Sequence, residues 1–68
     1  MRRITIERQA RGWSQSRLAR EAGLHASTVS SVENGRLRPW PGQAEKLRAA
    51  LGYDGPADEL FEEVGEDA

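Results

Sequence analysis

Apolar residues recur at helical spacing along this 68-residue chain, and glycines punctuate them. No segment alternates apolar and polar residues in the manner of a strand, so the pattern predicts helices throughout. A first helix is expected from about Arg2 to Arg11, with Gly12 just past its end. Ser14 is a good N-cap for a second, Gln15 to Ala22, which stops at Gly23. Leu18, Ala19 and Ala22 share one face of it, and the two alanines let a neighbouring helix axis approach closely. A third helix, about Ala26 to Asn34, ends at Gly35 and turns Val29 and Val32 toward the core. Arg36 to Gly42 reads as a loop containing Pro39 and Pro41, and Trp40 between them is expected to cover the edge of the core. A fourth helix, about Gln43 to Leu51, carries Leu47, Ala50 and Leu51 and ends at Gly52. After the Gly55-Pro56 loop a fifth short helix, about Ala57 to Glu63, brings Leu60, Phe61 and Val64. The expected architecture is one all-α domain, a compact five-helix bundle over residues 1–64, followed by an acidic, frayed tail at 65–68.

The third helix is unusual on its other face. Ser27, Ser30, Ser31 and Asn34 fall at i, i+3, i+4 and i+7, one stripe of a helix. Serine is a mediocre helix former, so three on one stripe weaken the element that carries them. Two short helices joined at a glycine, the second with a face of small polar side chains, suit an element that lies in a nucleic-acid groove. A merely solvated face would give the same stripe.

Composition narrows the possibilities. A chain this short buries only about 60% of its unfolded surface, so its stability is marginal. It has no cysteine and one histidine, which excludes a disulfide and makes a structural zinc site improbable. No metal and no cofactor are expected. No apolar run approaches the roughly 20 residues that span a bilayer, and no signal-peptide pattern opens the chain, so no membrane association is expected and the cytoplasm is the expected location. The net charge of −1 hides an asymmetry. Residues 1–38 hold eight arginines against Glu7, Glu21 and Glu33, whereas residues 39–68 hold Lys46 and Arg48 against eight acids. Guanidinium matches phosphate oxygens two-prongedly, which fits phosphate contact by the basic half. Arginine usage in a GC-rich genome gives the same composition. Nothing reads as catalytic: there is no histidine-plus-nucleophile set, no metal cluster and no glycine-rich phosphate loop.

Arg8, Gly12, Ser14-Gln15, Leu18-Ala19, Gly23, Val29-Ser30, Glu33-Asn34-Gly35, Pro39 and the Leu47, Ala50-Leu51-Gly52 run, in this order and spacing, resemble the XRE family of phage repressors and Cro proteins. The resemblance covers about residues 4–61. It implies a lambda-repressor-like helix-turn-helix domain that binds double-stranded DNA. In that family pattern Gln15 would bind a backbone phosphate and brace the third helix, which would be the recognition helix in the major groove. Ala26, Ser27, Ser30 and Ser31 occupy the positions that face base edges, and Asn34, Arg36 and Arg38 the positions that touch phosphates. Arg8 and Glu33 match a buried ion pair between the first and third helices. From chemistry alone, Ala26 and Thr28 can offer methyl groups to thymine, and serine accepts or donates to any base and so discriminates poorly. The base-facing positions of this helix lack the Gln, Asn or Arg that makes two-pronged base contacts, which points toward DNA shape, dimer spacing or water as sources of specificity. Plainer roles compete: Arg36 and Arg38 as surface charges, and His25 as a turn residue rather than a phosphate contact.

The leading functional expectation is a sequence-specific transcriptional regulator, a repressor, encoded by a bacterium or phage, nucleoid-associated when bound and acting as a homodimer. Phe61, Val64 and the nearby Tyr53 form the expected dimer surface, with Leu60 assigned to the core. Two alternatives remain open. The acidic end, Asp58 to Asp67, suits a partner protein such as a toxin, which would make the chain an autoregulating antitoxin. The serine-only face also suits a protein-interaction domain that has lost DNA binding.

Overall fold

The computed structural model describes residues 1–65. Four α-helices follow one another: α1 (Arg3–Ala10), α2 (Gln15–Ala22), α3 (Ala26–Glu33) and α4 (Pro41–Leu51). A single 3-10 turn, Ala57–Phe61, closes the domain. The expectation of a fifth helix is thus corrected. Five residues after Pro56 make too short a run for α-helical bonding, and the chain is drawn out at once into an extended conformation at Glu62. That extension serves a second purpose. Arg3 N–H donates to the Glu62 carbonyl at 3.0 Å, and Val64 N–H donates to the Met1 carbonyl at 2.9 Å. Arg2 and Glu63 form an isolated antiparallel bridge, so the first and last described segments lie side by side. Val64 therefore belongs to this bridge and not to a helix. The acidic end expected as a partner contact, Asp58 to Asp67, runs past the described residues at Glu66 and Asp67.

The core is built from residues that the apolar pattern marks, joined by Ile4 of α1. Ile4, Leu18, Val29, Leu47 and Leu60 have no exposed surface, and Ala19, Ala22, Val32 and Leu51 pack with them. Trp13, Leu24, Ala50, Tyr53 and Phe61 lie partly buried against this cluster. Complete burial of a side chain such as Leu47 contributes about 1.5–3 kcal/mol. The small residues Ala19 and Ala22 belong to this cluster on α2, the helix that packs against both α3 and α4.

Local chemistry sets the element ends. Ser14 Oγ accepts from Arg17 N–H at 3.0 Å and caps α2. Gly23 ends α2 in the left-handed region at φ +73°, and Leu24 N–H returns to the Ala19 carbonyl at 2.8 Å. α4 begins two residues earlier than the sequence suggested, at Pro41. A proline at the first helical position needs no N–H partner and already has a helical φ. Gln43 Oε1 accepts from Trp40 N–H at 3.0 Å and secures that start. Trp40 itself is 74% exposed, which corrects its expected place at the core edge. As the N-cap residue of α4 its backbone is extended, and Pro39 and Pro41 on either side hold it there.

Gly35 follows α3 at φ +83°, and a Cβ there would stand 2.6 Å from the Arg2 guanidinium. Gly42 lies within α4, where an added Cβ meets nothing within 4 Å. Gly35→Ala is therefore expected to destabilise the domain by about 1–2 kcal/mol, and Gly42→Ala to stabilise it by about 0.4–1 kcal/mol. Urea unfolding of the two variants, followed by circular dichroism, checks both signs.

Candidate nucleic-acid interface

α3 lacks a side-chain cap at its N-terminus and has three serines, so its own propensity holds it weakly. Its position comes from both ends. Val29 and Val32 anchor its inner face in the core. At its last residue the Glu33 side chain is only 6% exposed, and three helices meet there. Arg8 of α1 places Nε 2.7 Å from Glu33 Oε2 and Nη2 3.1 Å from Oε1. A third nitrogen, Nη1, donates to the Trp13 carbonyl at 2.7 Å. Gln15, the first residue of α2, donates through Nε2 to Glu33 Oε1 at 3.0 Å. One carboxylate thus accepts from a residue of α1 and a residue of α2 and sits at the end of α3. Two parallel guanidinium bonds fix its plane as well as its position.

The segment after α3 is a built turn. Asn34 Oδ1 accepts from Arg36 N–H at 3.1 Å, and the Ser31 carbonyl accepts from Arg36 and Leu37 N–H at 2.9 and 3.2 Å. The Asn34 oxygen is used by the turn, while its amide N–H groups remain available as donors. On the outer side, Ala26, Ser27, Asn34, Arg36 and Arg38 are exposed. Thr28, Ser30 and Ser31 are half-buried. Arg36 and Arg38 make no ion pair within 4 Å among the described residues, unlike Arg11 with Glu7, Arg17 with Glu21, and Arg48 with Glu45. His25 caps α3 through its backbone only and is exposed.

A family model described as helix-turn-helix matches residues 4–56, which takes in all four helices. The chain belongs to the XRE-type helix-turn-helix family. It is similar to a "Neisseria hypothetical transcription factor" of Neisseria meningitidis serogroup B, at 47% identity over 49 residues. That stretch covers 72% of this chain and 46% of the relative, so the chain spans about half the length of the curated protein it matches. No solved structure matches it.

The helix-turn-helix proper is α2, the Gly23–His25 turn and α3. The sequence-marked residues fall into two places around it. Gln15, Arg8 and Glu33 come together at the junction of α1, α2 and α3. Residues 26–38 of the marked set lie along α3 and the turn after it. Tyr53, Phe61 and Val64 lie apart from both, around the closing turn. Tyr53 Oη donates to Glu59 Oε1 at 2.6 Å. That bond, with burial, holds the phenol above its ordinary pKa, so it remains a neutral donor. Phe61 borders an open groove of about 530 Å³ shared with Arg38, Pro39, Pro41, Ala44, Asp58 and Glu62. Among the described residues no group of acids and histidines is placed to hold a metal, and no helix is long and apolar enough to cross a membrane.

Sequence reasoning did not find two features. The partner of Gln15 is one: the family resemblance implied that Gln15 braces the third helix, but a glutamine beside a serine cap gives no sign that Glu33, 18 residues away, accepts its bond. The other is the exposed Trp40; its flanking prolines, one of them able to start a helix, were the available signal.

Removing Glu33 leaves Arg8 nearly buried and unpaired. Glu33→Ala is expected to destabilise the domain by about 3–5 kcal/mol, enough to unfold much of a chain this small. The double variant Arg8→Met/Glu33→Leu, which removes both charges and keeps most of the volume, should recover the larger part of that loss. Equal losses in the single and double variants, measured by urea denaturation, would contradict the assignment of the pair as a constraint on geometry.

Proposed function

We propose that this chain is a sequence-specific repressor of transcription that binds double-stranded DNA as a homodimer, with residues 26–34 as the recognition helix in the major groove. Membership of a family of DNA-binding regulators supports DNA as the ligand. The observation that carries the reading is the mounting of α3. A helix with small outer side chains is locked at its end by Glu33, Arg8 and Gln15, and is followed directly by two exposed arginines that make no ion pair among the described residues. Small side chains let a helix sit deep in a groove, and Ala26, Ser27, Ser30, Ser31 and Thr28 supply methyl and hydroxyl groups to base edges. Arg36, Arg38, the Asn34 amide and the second N–H of the Gln15 amide supply phosphate contacts. Serine reads bases weakly, so specificity would draw on DNA shape and on the spacing of two half-sites. The dimer reading assigns Tyr53, Phe61 and Val64, around the closing turn, to the contact between subunits. The expected setting is the bacterial cytoplasm, with the protein on the nucleoid.

Selection from a random pool of duplex DNA tests the reading. The expected result is enrichment of a pseudo-palindrome whose half-site centres lie about 34 Å apart. Affinity should fall steeply with salt, and Arg36→Ala should reduce the slope of log affinity against log salt by about 1. No enrichment at low salt would sink the proposal. Separately, Val64→Glu is expected to give a monomer by sedimentation velocity. An unchanged sedimentation coefficient would remove Val64 from the subunit contact.

A further inference from the structure

The most exposed large apolar side chain in the described structure is an indole on a rigid mount. Trp40 is 74% exposed, against 38% for Leu37 and 61% for Met1. Its backbone has little freedom: Pro39 and Pro41 flank it, Pro41 is the first residue of α4, and its N–H is bonded to Gln43. The ring is not among the side chains that pack against the core, where the other tryptophan, Trp13, is found. Arg17 stacks over Trp13 at 4.9 Å from the ring centre, whereas no cation covers Trp40 among the described residues. An aromatic side chain on a fixed backbone has only two torsions to lose, so it gives up little conformational entropy when something binds it.

The charge around it selects the partner. From Asn34 to Trp40 the charged residues are Arg36 and Arg38, both exposed and both without an ion pair among the described residues. This loop continues directly from the C-terminus of α3. Two such guanidinium groups and an indole suit a polyanion with apolar surface between its charges, which describes a nucleic-acid strand: phosphates separated by deoxyribose. The indole body packs on the sugar, and its ring N–H, a donor only, faces a phosphate oxygen. Asp58 and Glu62 line the groove that Arg38 borders. They disfavour phosphate there, which confines the strand to the loop.

We propose that Trp40 is a DNA-contacting residue that packs against the sugar–phosphate strand beside the groove entered by α3 and adds affinity without adding sequence preference. This rests on the DNA-binding reading above. Its energetic signature differs from that of the arginines. Losing Trp40 removes contact area but no charge, so it lowers affinity at every salt concentration by the same factor.

The test uses two variants and one duplex. Trp13→Phe leaves Trp40 as the only tryptophan, and Trp40→Ala removes the ring from a site where it supports no core packing. A duplex of about 20 base pairs carrying the selected site is titrated at several salt concentrations, with its fluorescence anisotropy as the measure of binding. The expected results are quenched Trp40 emission and reduced acrylamide access on binding. Trp40→Ala should bind about tenfold more weakly, with an unchanged salt slope and wild-type melting temperature. Binding of duplex with unmoved Trp40 emission, and with wild-type affinity in Trp40→Ala, would overturn the inference and leave the DNA reading standing. Failure of the wild-type chain to bind any duplex at low salt would overturn both. An emission change that follows protein concentration without DNA would assign the ring to a second copy of the chain instead.

Discussion

A carboxylate almost withdrawn from water needs its bonds satisfied, and that need organises the outer half of this domain. Glu33 finds one partner in α1 and one in α2, at 2.7–3.1 Å. A buried ion pair adds little net stability over well-packed apolar residues, yet leaving one member alone is expensive. Its effect is therefore on geometry. Any rotation of α3 about its axis, or any slide along α2, breaks bonds that nothing else in that corner can replace. The Trp13 carbonyl, bonded to the same guanidinium, extends the constraint to the α1–α2 connection.

This resolves an apparent conflict in α3. Its serines oppose helix formation, and a helix of eight residues is marginal in isolation. Val29 and Val32 supply the burial, and Glu33 supplies the orientation. With both in place, the outward positions are free of any structural duty and can carry residues chosen for what they touch. The weak local propensity at this stripe is what a contact surface on a rigid support looks like, because tertiary bonds have taken over the work of propensity.

Much of this was legible in the chain itself. Four helices, their glycine stops and the buried set from Leu18 to Leu51 follow from apolar spacing and from caps such as Ser14, because burial and capping are local or periodic signals. Three things were not. The last element shrank to a 3-10 turn because a pairing across 61 residues, Arg2 with Glu63, draws the chain straight after Phe61. Trp40 lies in water because Pro41 starts a helix instead of extending a loop, and the sequence admits both readings. That Glu33 is the partner through which Gln15 braces α3 was hidden too, because α2 and α3 pack at close range, a distance that no spacing along the chain encodes. Of the proposed contact surface, the sequence marked residues and the structure arranged them: Asn34, Arg36 and Arg38 lie along one turn, and Tyr53, Phe61 and Val64 lie around another.

The pairing of the first and last described segments has a dynamic consequence. It closes the longest loop in the domain, and so carries the largest closure entropy. It is held by few bonds: two backbone bonds, at 3.0 and 2.9 Å, the bond from Arg2 to the Phe61 carbonyl, and ion pairs of the Met1 ammonium and Arg2 with an exposed Glu63. Such a clasp opens at a lower free energy than the core, in the range of local fraying rather than global unfolding. Yet Arg2, within it, donates to the Phe61 carbonyl and lays its guanidinium against Gly35 at the end of α3. Each opening of the clasp therefore withdraws Arg2 from the turn that carries Arg36 and Arg38, and leaves that turn held by its own bonds to Ser31, Val32 and Asn34 alone.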